Sequence, residues 1–262
     1  MSLSSENLLL EVKDLSIQFG GLKAVDSLNF SVQKGQLKGL IGPNGAGKTT
    51  VFNMLTGVYQ PSRGEICFRG QIINRLKPHE RCRRGMARTF QNIRLFRELT
   101  VLDNVLLGSH QKLTYGIFDS LFFTKKFHTE QKQNLDKALH LLNLFDLANK
   151  SELRAAGLPY GQQRKLEIVR ALAGEPRLLL LDEPAAGMNH SETDQLMTLI
   201  GRVRKEFDLT ILLIEHDMKL VMGICEDILV LDHGVKLEEG DSQKVRTSAK
   251  VIEAYLGIEN EH

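Results

Sequence analysis

Short apolar runs of strand length, separated by turn residues, open the chain. Leu8–Leu15 and Ile17–Phe19 read as extended, Gly20-Gly21 marks a turn, and Leu28–Val32 alternates apolar and polar positions. Lys34-Gly35 marks a second turn, and Leu37–Ile41 is an apolar strand running into a glycine-rich loop. From Lys48 to Leu55 the spacing turns helical. Arg94–Leu158 is rich in helix formers, with Leu135, Ala138, Leu139 and Leu142 at helical spacing. A helix over Gln162–Ala173, a strand over Leu178–Leu181, a helix over Ser191–Phe207 and a strand over Thr210–Ile214 follow. Ser191 with Asp194 marks the start of the second of these helices. The tail from Asp241 reads as helical to about Tyr255. Helix–strand alternation in the outer thirds predicts a mostly parallel, helix-covered sheet. The class is α/β, with a helical insert in the middle.

Composition narrows this little further. With 42% hydrophobic and 25% charged residues the chain is an ordinary globular one, and 262 residues suit one large domain or a domain with a subdomain. The net charge of +2 asks for no nucleic acid, and Arg81, Arg83, Arg84 and Arg88 read as a solvated helix face. Cys67, Cys82 and Cys225 lack metal-ligand or disulfide spacing, which fits a reducing compartment. No apolar run approaches the roughly 18 residues that cross a bilayer, and Glu6 and Glu11 flank the first apolar patch, unlike a signal peptide. The expectation is a soluble, cytoplasmic chain that meets a membrane only through a partner.

The candidate chemistry begins at Gly42, Pro43, Asn44, Gly45, Ala46, Gly47, Lys48, Thr49 and Thr50, which fit G-x-x-x-x-G-K-[ST] between a strand and a helix. Glycines let the loop curl so that successive N–H groups face phosphate oxygens, and the following helix adds the positive end of its dipole. Lys48 then reaches the β- and γ-phosphates, and the Thr49 hydroxyl is set for Mg2+. The run Leu178–Leu181 ends in Asp182 and Glu183, carboxylates at the C-terminal end of a buried strand, where α/β sheets bind ligands. Asp182 suits the metal, and Glu183 suits orienting or deprotonating a water.

With these residues the sequence resembles the ATP-binding-cassette (ABC) family over nearly its whole length. Thr89-Phe90-Gln91 looks like that family's Q-loop, Leu158-Pro159-Tyr160-Gly161-Gln162-Gln163 stands where its signature falls, and Glu215-His216-Asp217 looks like its H-loop. Phe19 stands where the family carries an aromatic that stacks on adenine. The resemblance implies that His216 grips the γ-phosphate and that Gln91 touches Mg2+ and the water while sensing a membrane partner. It also implies a P-loop NTPase (RecA-like) core with an N-terminal antiparallel β subdomain. On this division 1–92 and 162–240 form the core with the β subdomain, 93–161 a helical subdomain carrying the signature, and 241–262 a helical tail.

Three departures stand out. Pro159 and Tyr160 replace the serine and first glycine of L-S-G-G-Q, leaving Gly161 and the helix start at Gln162 as the anion site offered to ATP on the opposite subunit. Asn189 stands where many members carry Asp. The segments RTFQNIRLFRELTVLDNV, LPYGQQRKLEIVRAL and ILLIEHDMKLVMGICEDILVLDHG look closest to the larger ATPase subunit of branched-chain amino-acid importers. That resemblance implies two transmembrane permease subunits, a second ABC ATPase subunit packed head to tail, an indirect solute-binding partner and no nucleic acid. The chain would then sit peripherally on the inner face of the cell membrane. Another cargo (urea, short amides or exported lipid) and a soluble ABC protein stay open as alternatives. Tyr115, Phe118, Phe122, Phe123 and Phe127 form either a satellite core or part of a groove that receives a membrane subunit's coupling helix.

Overall fold

The computed structural model describes residues 7–256. The described residues divide into two compact units: 7–88, 177–183 and 200–256 form the first, and 89–176 with 184–199 the second.

The first unit is built on two sheets. β1 (Leu8–Phe19) and β2 (Leu22–Gln33) pair antiparallel, and after β3 (Leu37–Ile41) come β4 (Arg63–Phe68) and β5 (Gln71–Ile72), giving an antiparallel sheet of order β2-β1-β4-β5. The second sheet adds β6 (Met86–Arg88), β7 (Leu178–Asp182), β8 (Thr210–Ile214), β9 (Asp227–Asp232) and β10 (Val235–Gly240) in the order β10-β9-β3-β8-β7-β6. Pairing is parallel from β9 through β6, and only β10 runs antiparallel. Every residue of β3, β7 and β8 is buried, as expected of apolar runs in a sheet covered on both faces. β10, at the edge, carries Lys236, Glu238 and Glu239 instead, which discourages pairing with another chain. The α/β class is as the sequence predicts.

The strand expected to stop at Leu15 continues to Phe19. Register shifts near Asp14, whose φ is 47°, absorb the break in alternation without ending the pairing. α1 (Lys48–Leu55) follows β3, and α2 (Pro78–Arg83) precedes β6. Here the arginine reading fails. Arg81 is 1% exposed, and its guanidinium donates to Met54 O (2.6 Å), Leu55 O (2.8 Å), Leu76 O (3.0 Å) and Asn74 O (2.8 Å). Met54 and Leu55 lie in the last turn of α1, where carbonyls lack intrahelical donors, so the buried cation caps that helix. Burial pushes its pKa down to about 10. Arg88 is buried as well; only Arg83 and Arg84 face solvent.

The second unit is helical. α3 (Val101–Ser109) packs on α5 and α6, and α4 (Ile117–Leu121) leads into α5 (Lys125–Leu144), followed by α6 (Tyr160–Ala173). α7 (His190–Glu206) begins in this unit and ends in the first. Its start is not set by Ser191 and Asp194. Asn189 Oδ1 accepts from Glu192 N, and a Glu192 carboxylate oxygen accepts from Asn189 N, both at 3.0 Å. α8 (Met218–Ile224), α9 (Ser242–Thr247) and α10 (Ala249–Leu256) complete the first unit. The helical reading of the tail beyond Leu256 lies outside the described residues. Among the described residues no helix is long and apolar enough to cross a membrane.

The satellite-core reading of the aromatic segment holds only in part. Tyr115 and Phe127 meet edge to face at 5.0 Å, and Gln131 Nε2 donates to the Tyr115 hydroxyl at 2.8 Å. The Glu130 carboxylate accepts from the Thr114 amide and hydroxyl and from the Tyr115 amide. Phe118, Phe122 and Phe123 are not core: they are 77%, 70% and 63% exposed, beside exposed Ile117 and Leu121.

Candidate active site

The phosphate-loop residues fall between β3 and α1. Gly42 has φ 150°, and a Cβ there would lie 2.1 Å from Leu231 O, so any side chain would strike the neighbouring backbone. Gly47 caps α1 in the left-handed region at φ 98°, where a Cβ would lie 2.7 Å from Ala24 O. These two positions fix the curl of Pro43, Asn44, Gly45 and Ala46 and aim the start of α1 along the loop. Lys48 is buried, and its ammonium donates to Gly42 O (2.6 Å) and Pro43 O (2.8 Å). Burial holds its pKa below the usual lysine value, opposed by the charges of Glu183 and Asp182. Thr49 is exposed in the first turn of α1, with Thr50 half-buried behind it.

β7 delivers Asp182 as its last residue, 2% exposed, and Glu183 directly after it. Glu183 sits at φ 49°, a left-handed conformation rare for a non-glycine residue, and its amide donates to Ile214 O at 3.0 Å. The backbone therefore turns sharply just where the second carboxylate is presented. His216, just past β8, brings its Nε2 within 2.6 Å of Glu183 Oε1. Phe19, at the end of β1, is 45% exposed and meets Tyr59 edge to face at 5.2 Å. Tyr59 escaped the sequence reading; the only signal was its place shortly after α1.

The second unit holds the other candidates. Gln91 is exposed in a segment gripped by α6: Arg164 donates to Phe90 O at 2.7 Å and also bonds Gln91 O. Glu167, one turn on, accepts from Arg94 N at 3.2 Å and pairs with Arg164 at 3.4 Å. Both side chains are 2% exposed, and burial raises the Glu167 pKa. Neither residue was singled out from the sequence, although charged residues on the apolar face of a helix are a signal. α6 starts at Tyr160, two residues earlier than expected, and the amides of Gln162 and Gln163 donate to Pro159 O. A Cβ on Gly161 would lie 3.2 Å from both Met188 and Glu192, and one on Gly187 would lie 3.0 Å from the Tyr160 ring. The start of α6 at Tyr160 and Gly161 is thus packed against Gly187, Met188 and Glu192 within one unit.

Among the described residues no cluster of three or more His, Cys, Asp or Glu could hold a metal unaided. A hydroxyl at Thr49 and a carboxylate at Asp182 are hard oxygen donors. They fit Mg2+, which takes one or two protein ligands when phosphates supply others.

A curled loop leading into a helix, a buried acid strand and a facing histidine describe a nucleotide-phosphate site on a parallel sheet. A profile of the ABC transporter family matches residues 25–186, and the chain belongs to that family. More particularly, it is 48% identical over 252 residues to the high-affinity branched-chain amino acid transport ATP-binding protein BraF of Pseudomonas aeruginosa, covering 95% of this chain and 98% of that one. It is 47% identical over 249 residues to the protein LivG of Escherichia coli K12, with the same coverage. Among solved structures it resembles the ADP conformation of an ATP-binding cassette of an ABC transporter, with a TM-score of 0.83 and 30% identity over 95% of this chain and 99% of that one. A nucleotide-free cassette from an ABC transporter gives a TM-score of 0.81 at 29% identity, covering 95% and 98%.

Proposed function

We propose that this chain is the ATP-hydrolysing subunit that powers import of branched-chain amino acids (Leu, Ile, Val) through a membrane ABC transporter. The observation that carries the proposal is near-complete, two-way coverage at 47–48% identity with two proteins named for that transport. The site geometry supports the chemistry. The 42–49 loop and Lys48 cradle the phosphates of ATP, with the Lys48 ammonium turning from its own loop carbonyls to phosphate oxygens. Phe19, with Tyr59 beside it, packs the base. Thr49 and Asp182 hold Mg2+, which when bound neutralises charge on the β- and γ-phosphates. Glu183 orients and deprotonates the attacking water, and His216, in contact with that carboxylate, organises the γ-phosphate. Phosphoryl transfer needs mainly positioning and charge stabilisation, which these groups supply. Gln91 as a contact to metal and water, and Gly161 with Gln162 as the anion site for the opposite subunit's ATP, rest on the family resemblance alone.

The same reading gives the partners: a second ABC ATPase subunit closing head to tail, two transmembrane permease subunits, and a solute-binding protein acting indirectly. It keeps the chain on the inner face of the membrane and keeps the division into a core (1–92 and 162–240), a helical subdomain (93–161) and a tail (241–262). The exposed Ile117, Phe118, Leu121 and Phe122 supply apolar surface for a permease contact. The test is affinity capture from native membranes with Glu183→Gln and ATP. Co-purification of two polytopic proteins and a second cassette, followed by leucine binding to their solute-binding partner, is the expected result. Recovery of ribosomes, nucleic acid or no membrane protein would overturn the transport reading.

A further inference from the structure

Arg88, the last residue of β6, has a side chain 6% exposed. Its Nη2 donates to Asp182 Oδ2 at 2.7 Å, and the Asp182 side chain is itself 3% exposed. Its Nη1 donates to Asn53 Oδ1 at 2.7 Å and to Thr56 Oγ1 at 3.4 Å, and the guanidinium lies over the Phe52 ring, 5.5 Å from the centroid. Phe52 and Asn53 belong to α1, and Thr56 is its C-cap. That helix opens with Lys48 and Thr49. One planar group therefore ties the far end of the phosphate-loop helix to the carboxylate at the end of β7.

We propose that Arg88 is a positioning residue for the Mg2+–nucleotide site, a clamp that orients the Asp182 carboxylate and fixes its spacing from Thr49. The inference rests on the reading that Asp182 and Thr49 hold Mg2+. Two physical considerations carry it. Asp182 is too buried for bulk water to orient it, so the groups it bonds, Arg88 among them, set the direction of its oxygens. The guanidinium fork serves acceptors on two elements at once, which the single ammonium of lysine does not reproduce. A buried ion pair is weak evidence of a stabilising role, because desolvation offsets much of its attraction. Orientation of a metal ligand is a different matter: partners that hydrogen-bond to such a ligand set metal affinity by about 10- to 100-fold.

Coulomb's law alone predicts the opposite sign. A cation beside a metal ligand repels the metal, so a purely electrostatic Arg88 would give tighter Mg2+ binding when removed. The experiment measures ATP affinity of the full chain in saturating Mg2+ and in EDTA, and takes the ratio. Arg88→Met is expected to lower that ratio about tenfold with EDTA affinity unchanged, and Arg88→Lys to behave like Arg88→Met. Asn53→Ala keeps the Asp182 bond but removes the shorter of the two bonds that tie Arg88 to the end of α1, and lowers the ratio in part. Asp182→Asn abolishes the ratio if the metal reading holds. A ratio unchanged or increased in Arg88→Met, with Asp182→Asn abolishing it, overturns the clamp and leaves the metal reading standing. A wild-type ratio in Asp182→Asn overturns both. A lower melting temperature with an unaltered ratio makes Arg88 a packing residue only and overturns the proposal. Should Arg88→Met not fold, an unaltered ratio in Asn53→Ala overturns it instead.

Discussion

Glu183 and His216 touch, and that contact makes a sharp kinetic prediction. Replacing Glu183 with Gln keeps size, backbone turn and one hydrogen-bonding oxygen but removes the base. Loss of a positioned general base costs about 100- to 10,000-fold in rate, or about 3–5 kcal/mol of transition-state stabilisation. His216→Ala removes the group held 2.6 Å from the same carboxylate, so the two act on one water and one phosphate as a unit. Groups that act as a unit are grossly non-additive, so the double mutant should turn over no more slowly than the slower single mutant. Stability should barely move. The His216 side chain is 45% exposed though that of Glu183 is only 13% exposed, and solvent at the histidine screens the pair, which contributes about 1 kcal/mol or less. The assay is steady-state ATPase of the wild type and the three variants, with nucleotide affinity and thermal melting measured alongside. Near wild-type turnover in Glu183→Gln would sink its role as base. Multiplicative losses in the double mutant would show that the contact has no part in catalysis.

Arg81→Met should destabilise the fold by about 2–4 kcal/mol, since four carbonyls lose a charged donor inside the protein; urea denaturation reads this, and a change under 0.5 kcal/mol would refute the capping role. Phe118→Ser with Phe122→Ser should leave melting and ATP affinity unchanged, because both rings are exposed, while weakening capture of the permease subunits; a large drop in stability would restore the satellite-core reading. The Thr114 hydroxyl, then the backbone amides, hold Glu130 below the usual carboxylate range. A lowered carboxylate keeps its contribution above its unfolded value and loses it as pH falls through the folded one. NMR of the Thr114 and Tyr115 amides should therefore show the turn intact at neutral pH and released only in acid, below the range in which a free glutamate protonates; release on raising the pH would contradict the assignment. Gly42→Ala should abolish nucleotide binding, since its Cβ meets a backbone oxygen at 2.1 Å; unimpaired ATP affinity would show that the loop has room to shift.

The sequence by itself determined the α/β class, the buried strands and the phosphate loop. Each is written in adjacent residues: Leu178–Leu181 spell a strand covered on both faces, and Gly42 and Gly47 answer to backbone angles within one loop. The placing of Asp182 and Glu183 at a strand end was equally legible, because strand ends in such sheets point to one edge, whereas His216 came from the family resemblance. What it could not determine was the fate of its charges. Arg81 and Arg88 read as solvent-facing and Arg164 carried no reading, yet each is buried on acceptors far along the chain: Met54 and Leu55, Asn53 and Asp182, Phe90 and Gln91. Phe118 and Phe122 read equally well as core, yet stand in solvent. Local patterns record propensity and period. Whether a guanidinium finds carbonyls and a carboxylate inside, or a ring finds none of its own kind, depends on which distant elements the sheet order brings alongside, and only the tertiary structure decides that.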